Sequence, residues 1–236
     1  MPKRLLIIIP CYNEQASLPA LLAELMGITI PGYAITVLVV NDCSTDGTYA
    51  VAQQHPVKVI DLPINLGIGG AVQSGLLYAA QYNFDLAIQM DGDGQHPPKE
   101  LTKLLNCYEN NNANLVIGSR FIEKEGFQSS FTRRLGIGYF HWLNKAFTGL
   151  NIYDSTSGFR LFDRKAIALA SAYYPDEYPE PESLVYFAKA GLSIKETPVI
   201  MASRVGGQSS IRNFASLYYC IKVTLAMLFS AIRKTQ

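Results

Sequence analysis

The sequence is poor in charge. Asp, Glu, Lys and Arg make up only 17% of its 236 residues, and 20 basic against 19 acidic residues leave a formal net charge of +1. No long basic run occurs, which argues on charge grounds against a general nucleic-acid binder. Cysteine is scarce and scattered. Cys11, Cys43, Cys107 and Cys220 form no C-x-x-C pair, so a zinc site or redox dithiol has no support, and free thiols in a reducing compartment are expected. The start of the chain lacks the pattern of a secretory leader, because Lys3 and Arg4 precede a short apolar stretch that ends at Pro10. Internal repeats, low-complexity tracts and evident linkers are missing as well. What is abundant is apolar: 49% of residues are hydrophobic. The chain is therefore neither disordered nor fibrous, and its length suits one core-forming domain with a short appendage.

Residues 5–9 are a continuous aliphatic run, the signature of a strand covered on both faces. Similar runs at 35–40, 57–62, 86–90 and 115–117 alternate with helical patterns at 14–26, 48–54, 71–81 and 97–108. Repeated strand–helix units predict an α/β fold with a mostly parallel sheet flanked by helices. Ligands of such sheets gather at the carboxyl ends of the strands. The polar clusters lie at those ends: Asn13 and Glu14, Asp42, Asn65 and Gly67, Asp91 and Asp93, and Arg120. The second half is less regular. Helices are expected over 131–149 and 183–190, a short strand at 161–162, a strand at 194–199, and structured loops over 154–160, 173–181 and 204–210.

Asp91-Gly92-Asp93 follows an aliphatic strand. Two carboxylates so placed can share a divalent cation, with Gln95 as a third oxygen. Hard oxygen ligands favour Mg²⁺ or Mn²⁺, and a bound diphosphate completes the shell. The alternative is a helix N-cap and a solvated turn. Asp42 suits a nucleobase or ribose, or an N-cap. Asn65, Gly67 and Gly70 suit a phosphate or base cradle, or a plain turn.

Three stretches, Ile7-Ile8-Ile9-Pro10-Cys11-Tyr12-Asn13-Glu14, Val40-Asn41-Asp42-Cys43-Ser44-Thr45-Asp46-Gly47-Thr48 and Met90-Asp91-Gly92-Asp93-Gly94-Gln95-His96-Pro97-Pro98, resemble family 2 glycosyltransferases of the GT-A (Rossmann-like) fold. Gly118-Ser119-Arg120-Phe121, Ser157-Gly158-Phe159-Arg160 and Arg204-Val205-Gly206-Gly207-Gln208-Ser209 look like the branch holding dolichol- and polyprenyl-phosphate sugar synthases. The resemblance implies a UDP- or GDP-linked sugar donor, inversion at the anomeric carbon, and a lipid-phosphate acceptor. Carried over by position, Pro10, Tyr12, Asn13, Glu14 and Asp42 hold the nucleoside, with Asn65, Gly67 and Asp91 beside them. Asp91, Asp93 and Gln95 take the metal and diphosphate. Arg120, Arg133 or Arg134, and Arg204 face phosphate groups, a task that suits the planar guanidinium fork. For Arg133 and Arg134 an exposed helix face is the alternative. Asp93 and Arg204 carry the charge chemistry. A phosphate acceptor scarcely needs a general base, whereas a sugar hydroxyl on a growing cell-surface glycan would need one. The base candidates are Asp154 and the Glu180-Pro181-Glu182 pair, Glu182 foremost. Glu-Pro-Glu departs from the acidic pair of hydroxyl-using relatives, and a helix N-terminus explains those charges equally well. A nucleotide-sugar-binding protein without activity is the remaining reading.

Residues 214–232 are largely apolar and approach the roughly 20 needed to span a bilayer, but Lys222 sits near the middle. A domain over 1–210 and a C-terminal apolar helix over 211–236 are expected, the helix lying at a membrane surface or packed on a partner or on its own domain. A lipid acceptor then implies a cytoplasmic protein, peripheral at the inner face of the membrane, and a separate membrane-protein partner.

Overall fold

The computed structural model describes residues 1–123, 131–176, 179–202 and 215–232, with the backbone alone for 131–137 and 215–220. Seven strands form one sheet: β1 (Lys3–Cys11), β2 (Tyr33–Asn41), β3 (Lys58–Asp61), β4 (Leu86–Gln89), β5 (Leu115–Ser119), β6 (Arg160–Asp163) and β7 (Ile194–Pro198). Their order is β3-β2-β1-β4-β6-β5-β7. All pairings are parallel except those of β6, which runs antiparallel to both β4 and β5.

The helices are α1 (Leu18–Met26), α2 (Thr48–Gln53), α3 (Gly67–Gln81), α4 (Leu101–Asn111), α5 (Phe131–Thr148), α6 (Arg164–Ala172), α7 (Pro179–Lys189) and α8 (Ala215–Ile232). β1 shows why the sheet is covered on both faces. Leu5, Ile7, Ile9 and Cys11 enter a core shared with α1 and α4, while Leu6 and Ile8 enter the opposite core with α3, α6 and α7. This is the period-2 alternation of a strand, and each such side chain stabilises the fold by roughly 1.5–3 kcal/mol. A third, smaller cluster joins Phe140 and Leu143 of α5, Val185 of α7, and Val223 and Met227 of α8.

Three local expectations are revised. The first helix begins at Leu18 rather than Glu14, because Glu14–Ser17 form a turn in which Ser17 donates to Glu14. α7 begins at Pro179, inside the stretch expected as loop, because proline fits the first helical turn, whose N–H groups have no intrahelical partner. α6 is an addition, capped by Asp163, whose Oδ1 accepts the Ala166 N–H at 2.9 Å.

The topology gathers the polar loops. The carboxyl ends of β1, β2, β3, β4, β5 and β7 share one edge of the sheet. β6 runs the other way, so the loop that precedes it, 154–159, lies at that edge too. Gln89 at the end of β4 pairs with Arg160 at the start of β6.

Candidate active site

The Asp91-Gly92-Asp93 turn presses on the end of β1. A Cβ added to Gly92 would sit 2.8 Å from Cys11 Sγ and 3.3 Å from the Pro10 carbonyl oxygen. Asp93 is buried, and its Oδ1 accepts the Gln95 N–H at 2.9 Å. Buried His96 stacks on Phe159 with ring centroids 4.8 Å apart. Its Nδ1 accepts the Asp91 N–H at 3.0 Å, which puts the proton of the neutral ring on Nε2, 3.9 Å from Asp91 Oδ2. Burial holds this imidazole below its usual value, although Asp91 and Asp93 pull it upward. The Cys11 thiol is pushed well up by burial, then by Glu14 and Asp91.

The Asp91 side chain is 36% exposed and opens toward Gly158. A Cβ on Gly158 would lie 3.0 and 3.2 Å from the two Asp91 carboxylate oxygens and 2.9 Å from Gln89 Nε2. Glycine thus leaves an uncovered space against that carboxylate. The space and the hard oxygen donors fit a divalent cation of the kind bound by one or two carboxylates plus substrate phosphates. Among the described residues no cluster of three or more His, Cys, Asp or Glu could hold a metal unaided.

Arg160 shapes the other wall. It has no exposed surface. Its Nε donates to the Ser157 carbonyl (2.7 Å), Nη1 to Ser183 Oγ (3.0 Å), and Nη2 to the Ser155 (2.9 Å) and Glu180 (2.8 Å) carbonyls. One guanidinium ties the 155–158 loop to the first turns of α7. Half-buried Glu180 is held there. Burial pushes its carboxyl above the usual range, Arg160 opposes this, and Asp91 adds to it.

Arg120 and Asp154 face each other. Arg120 Nε and Nη2 bind the two Asp154 oxygens at 2.7 Å each, and the Arg120 N–H binds Oδ2 at 3.1 Å. Burial works against the guanidinium charge, but Asp154 outweighs it and raises its pKa. Asp154 itself has no exposed surface. Glu196 on β7 accepts the Tyr153 and Asp154 N–H groups at 2.7 and 2.8 Å, locking the loop.

The loops after β1 and β2 interlock. Asn13 adopts φ +57° and accepts the Thr45 N–H at 2.8 Å, its own N–H meets Ser44 Oγ, and the Glu14 N–H meets Thr48 Oγ1. Tyr12 stands 51% exposed beside them, whereas Pro10 is buried within β1. Buried Asp42 accepts the Leu66 N–H through Oδ1 at 2.7 Å. Asn65 donates to the Asp42 carbonyl and accepts the Gly67 N–H, with Gly67 at φ +75°. The next glycine is a packing residue: the Gly69 N–H meets the Asp176 carbonyl at 3.0 Å, and a Cβ there would stand 2.1 Å from the Pro175 oxygen.

Residues 6–169 match the family model "Glycosyl transferase family 2". The chain belongs to that family. Over 217 residues it is 32% identical to the undecaprenyl-phosphate mannosyltransferase of Micrococcus luteus, covering 88% of this chain and 87% of the relative. Over 219 residues it is 29% identical to the polyprenol monophosphomannose synthase of Mycolicibacterium smegmatis, covering 89% and 81%. Its fold is similar to that of glucosyl-3-phosphoglycerate synthase from Mycobacterium tuberculosis, crystallised with Mn²⁺, UDP-glucose and phosphoglyceric acid. The TM-score is 0.73 at 16% identity, with 99% of this chain and 81% of the other covered.

In this family 2 chain the sheet brings Asp42, Asn65, Gly67, Asp91, Asp93, Gln95, Arg120 and Asp154 to one edge. Glu182 Oε1 accepts the Tyr173 hydroxyl at 3.1 Å. Residues two apart on a helix point about 200° apart, so Glu180 and Glu182 cannot both face Asp91. Arg133 and Arg134 lie on the first turn of α5, and their side chains and all of Arg204 fall outside the described residues. Sequence reasoning passed over Arg160, Gly158 and Glu196. The Ser-Gly-Phe-Arg motif was the available signal for the first two, while Glu196 carried none.

Proposed function

We propose that this chain transfers a hexose, with inversion, from a nucleotide-diphosphate sugar to a polyprenyl phosphate. The observation that carries the reading is the 32% identity, over most of both chains, to a transferase named for undecaprenyl phosphate. The space on Asp91 opposite Gly158 supports it. Asp91 and Asp93, with Gln95, would hold Mg²⁺ or Mn²⁺, which when bound neutralises charge on the leaving diphosphate.

The chain's own residues supply the rest. Asp42, Asn65 and Gly67 form the nucleoside edge with Asn13 and Glu14, and exposed Tyr12 offers a stacking face. Arg204 and Arg133 or Arg134 meet phosphate oxygens, because arginine forks bind them bidentately. Arg120 acts with Asp154 as a pair. A guanidinium already bound at both carboxylate oxygens has less to offer a phosphate, and Asp154, fully buried with both oxygens on Arg120, presents none to a sugar hydroxyl. A phosphate acceptor fits this wall, since it is an anion at neutral pH and attacks without a base. Transition-state stabilisation then falls on the charge around the diphosphate.

The donor is water-soluble and the acceptor's tail is not. We therefore assign the protein to the cytoplasmic, inner face of the membrane as a peripheral enzyme, working beside a separate membrane protein that handles the lipid product. The donor base, uridine or guanosine, is read by residues around Asp42.

The test is transfer of labelled sugar from UDP- and GDP-linked donors to short-chain polyprenyl phosphate, with and without a chelator. Label should enter the organic phase only with divalent metal. Donor hydrolysis with no lipid labelling would overturn the acceptor, and chelator-insensitive transfer would overturn the metal role of Asp91 and Asp93.

A further inference from the structure

Gln89 closes β4 and is its one polar residue. Leu86, Ala87 and Ile88 precede it, and all four are fully buried. Side chains of a strand alternate between its faces. Gln89 therefore points with Ala87 toward the layer of α3, α6 and α7, and its amide lies beside the Glu180 carboxyl of α7. Neither amide atom, Oε1 nor Nε2, has a hydrogen-bond partner among the described residues. Its cross-strand neighbour Arg160 directs its guanidinium to the Ser155, Ser157 and Glu180 carbonyls and to the Ser183 hydroxyl instead. A buried amide without partners works against folding, and a leucine of similar volume there would be neutral or stabilising. The amide therefore has a use outside the fold.

The point where a Gly158 Cβ would sit is 2.9 Å from Gln89 Nε2 and 3.0 and 3.2 Å from the Asp91 carboxylate oxygens. The amide and that carboxylate thus border one gap, and glycine keeps it clear. The sheet order sets which part of a donor comes there. β4 lies between β1 and β6, and Asp42 follows β2 on the far side of β1. A nucleoside on the Asp42 side and a diphosphate at Asp91 direct the hexose toward β6 and α7, where Gln89 lies. Charge selects the same group. The Asp91 and Glu180 carboxyls flank the amide, so a phosphate without its own cation is repelled, whereas a hydroxyl can accept from Nε2 and donate to a carboxylate.

We propose that Gln89 is a specificity-determining residue that hydrogen-bonds one hydroxyl of the donor hexose in the gap between Asp91 and Gly158. The amide meets no solvent, so the hydroxyl reaches it by displacing the Asp91 side chain, which is 36% exposed. Nε2 donates to the hydroxyl, and the hydroxyl donates in turn to a bordering carboxylate. A hexose without that hydroxyl leaves the amide unpaired, which is how a buried polar group discriminates. The inference rests on the nucleotide-sugar donor of the reading above and not on its acceptor.

Binding to the full-length protein is measured by calorimetry with Mn²⁺ for UDP, GDP, UDP-glucose, GDP-mannose and the monodeoxy analogues of both sugars. In the wild type, one deoxy donor should bind about tenfold or more weakly than its parent. Gln89→Leu should erase that difference by bringing the parent down to the analogue. It should leave the Kd of the free nucleotide unchanged and melt no lower than the wild type. Gln89→Met, a flexible side chain of similar length, should repeat the pattern. A packing role would not single out one hydroxyl. Discrimination unchanged in both variants, or a wild type indifferent to every deoxy position, overturns the proposal. Melting well below the wild type in both variants overturns it too, by showing that the amide is already partnered. No binding of either sugar nucleotide removes the donor reading and this inference together. If Gln89 governs one hydroxyl but no label reaches polyprenyl phosphate, the acceptor assignment fails and the sugar contact stands. If label reaches the lipid and Gln89 governs no hydroxyl, the reverse holds.

Discussion

Gly158→Ala adds one methyl group that would fill the space against Asp91 and press on its walls. No left-handed backbone is involved at this glycine, so the effect is steric and electrostatic. The new Cβ would meet both Asp91 carboxylate oxygens at 3.0 and 3.2 Å and Gln89 Nε2 at 2.9 Å. Ordinary carbon contacts are about 3.5–4.0 Å, so Asp91, Gln89 or the 155–158 loop must shift. The Gln89 amide is the end of a flexible chain but is fully buried, and Arg160 anchors the loop by four hydrogen bonds. Overpacking of this kind costs about 1–3 kcal/mol. If Asp91 moves, the cost falls on the diphosphate site, and at about 1.4 kcal/mol per factor of ten kcat/KM should drop about 5- to 150-fold. If the cost falls on the fold, Tm should drop by about 2–4 °C per kcal/mol. Steady-state transfer with titrated metal, alongside a thermal melt, separates the two. A variant with wild-type kcat/KM and wild-type metal requirement would refute the reasoning, for it would show that the space beside Asp91 is not where the donor is held.

Arg160→Met should be the more damaging change to the fold, because it removes the guanidinium from the Ser155 and Ser157 carbonyls and leaves the Glu180 carbonyl with only the Ser183 hydroxyl. A loss of roughly 3–5 kcal/mol is expected in urea unfolding, and a loss under 1 kcal/mol would contradict the hub. Because a phosphate acceptor needs no base, Glu180→Gln and Glu182→Gln should each leave kcat within about tenfold of the wild type; a loss of about a hundredfold or more in either would reassign that carboxylate as a general base. For pH, burial raises the Glu196 carboxyl above its usual 4.5, while the backbone N–H groups it accepts pull it down. Between 4.5 and that raised value the folded state binds more protons than the unfolded chain, so this group's contribution to stability declines as pH rises through the window. Glu196→Gln should flatten that part of the stability curve in urea titrations on either side of the carboxylate range, and an unchanged curve would refute the assignment.

How much of this was legible in the sequence varied with how local the signal was. β1 was plain, because a strand buried on both faces reads as an unbroken aliphatic run. The Asp91 turn was plain too, since its carboxylates directly follow β4. β6 was harder: it has four residues and opens on a buried arginine, and nothing local tells such a residue from a solvated one. Its partners at Ser183 and the Glu180 carbonyl are 23 and 20 residues away. The Arg120–Asp154 pair spans 34 residues, so each side chain alone invited a separate role, one as phosphate ligand and the other as base. Proline misled at α7, where Pro179 and Pro181 occupy a first turn that suits them. Antiparallel β6 is what carries the 154–159 loop to the strand ends, and that reversal has no signature in composition.

The central claim is a lipid-phosphate acceptor, and one comparison tests it most directly. Purified protein, labelled donor and divalent metal are given short-chain polyprenyl phosphate in one reaction and the matching free polyprenol in another. Transfer to the phosphate alone is the predicted result, because an anionic nucleophile needs no base and the buried, paired Asp154 supplies none. Comparable transfer to the free alcohol would contradict the account and would require a general base among the carboxylates at this edge.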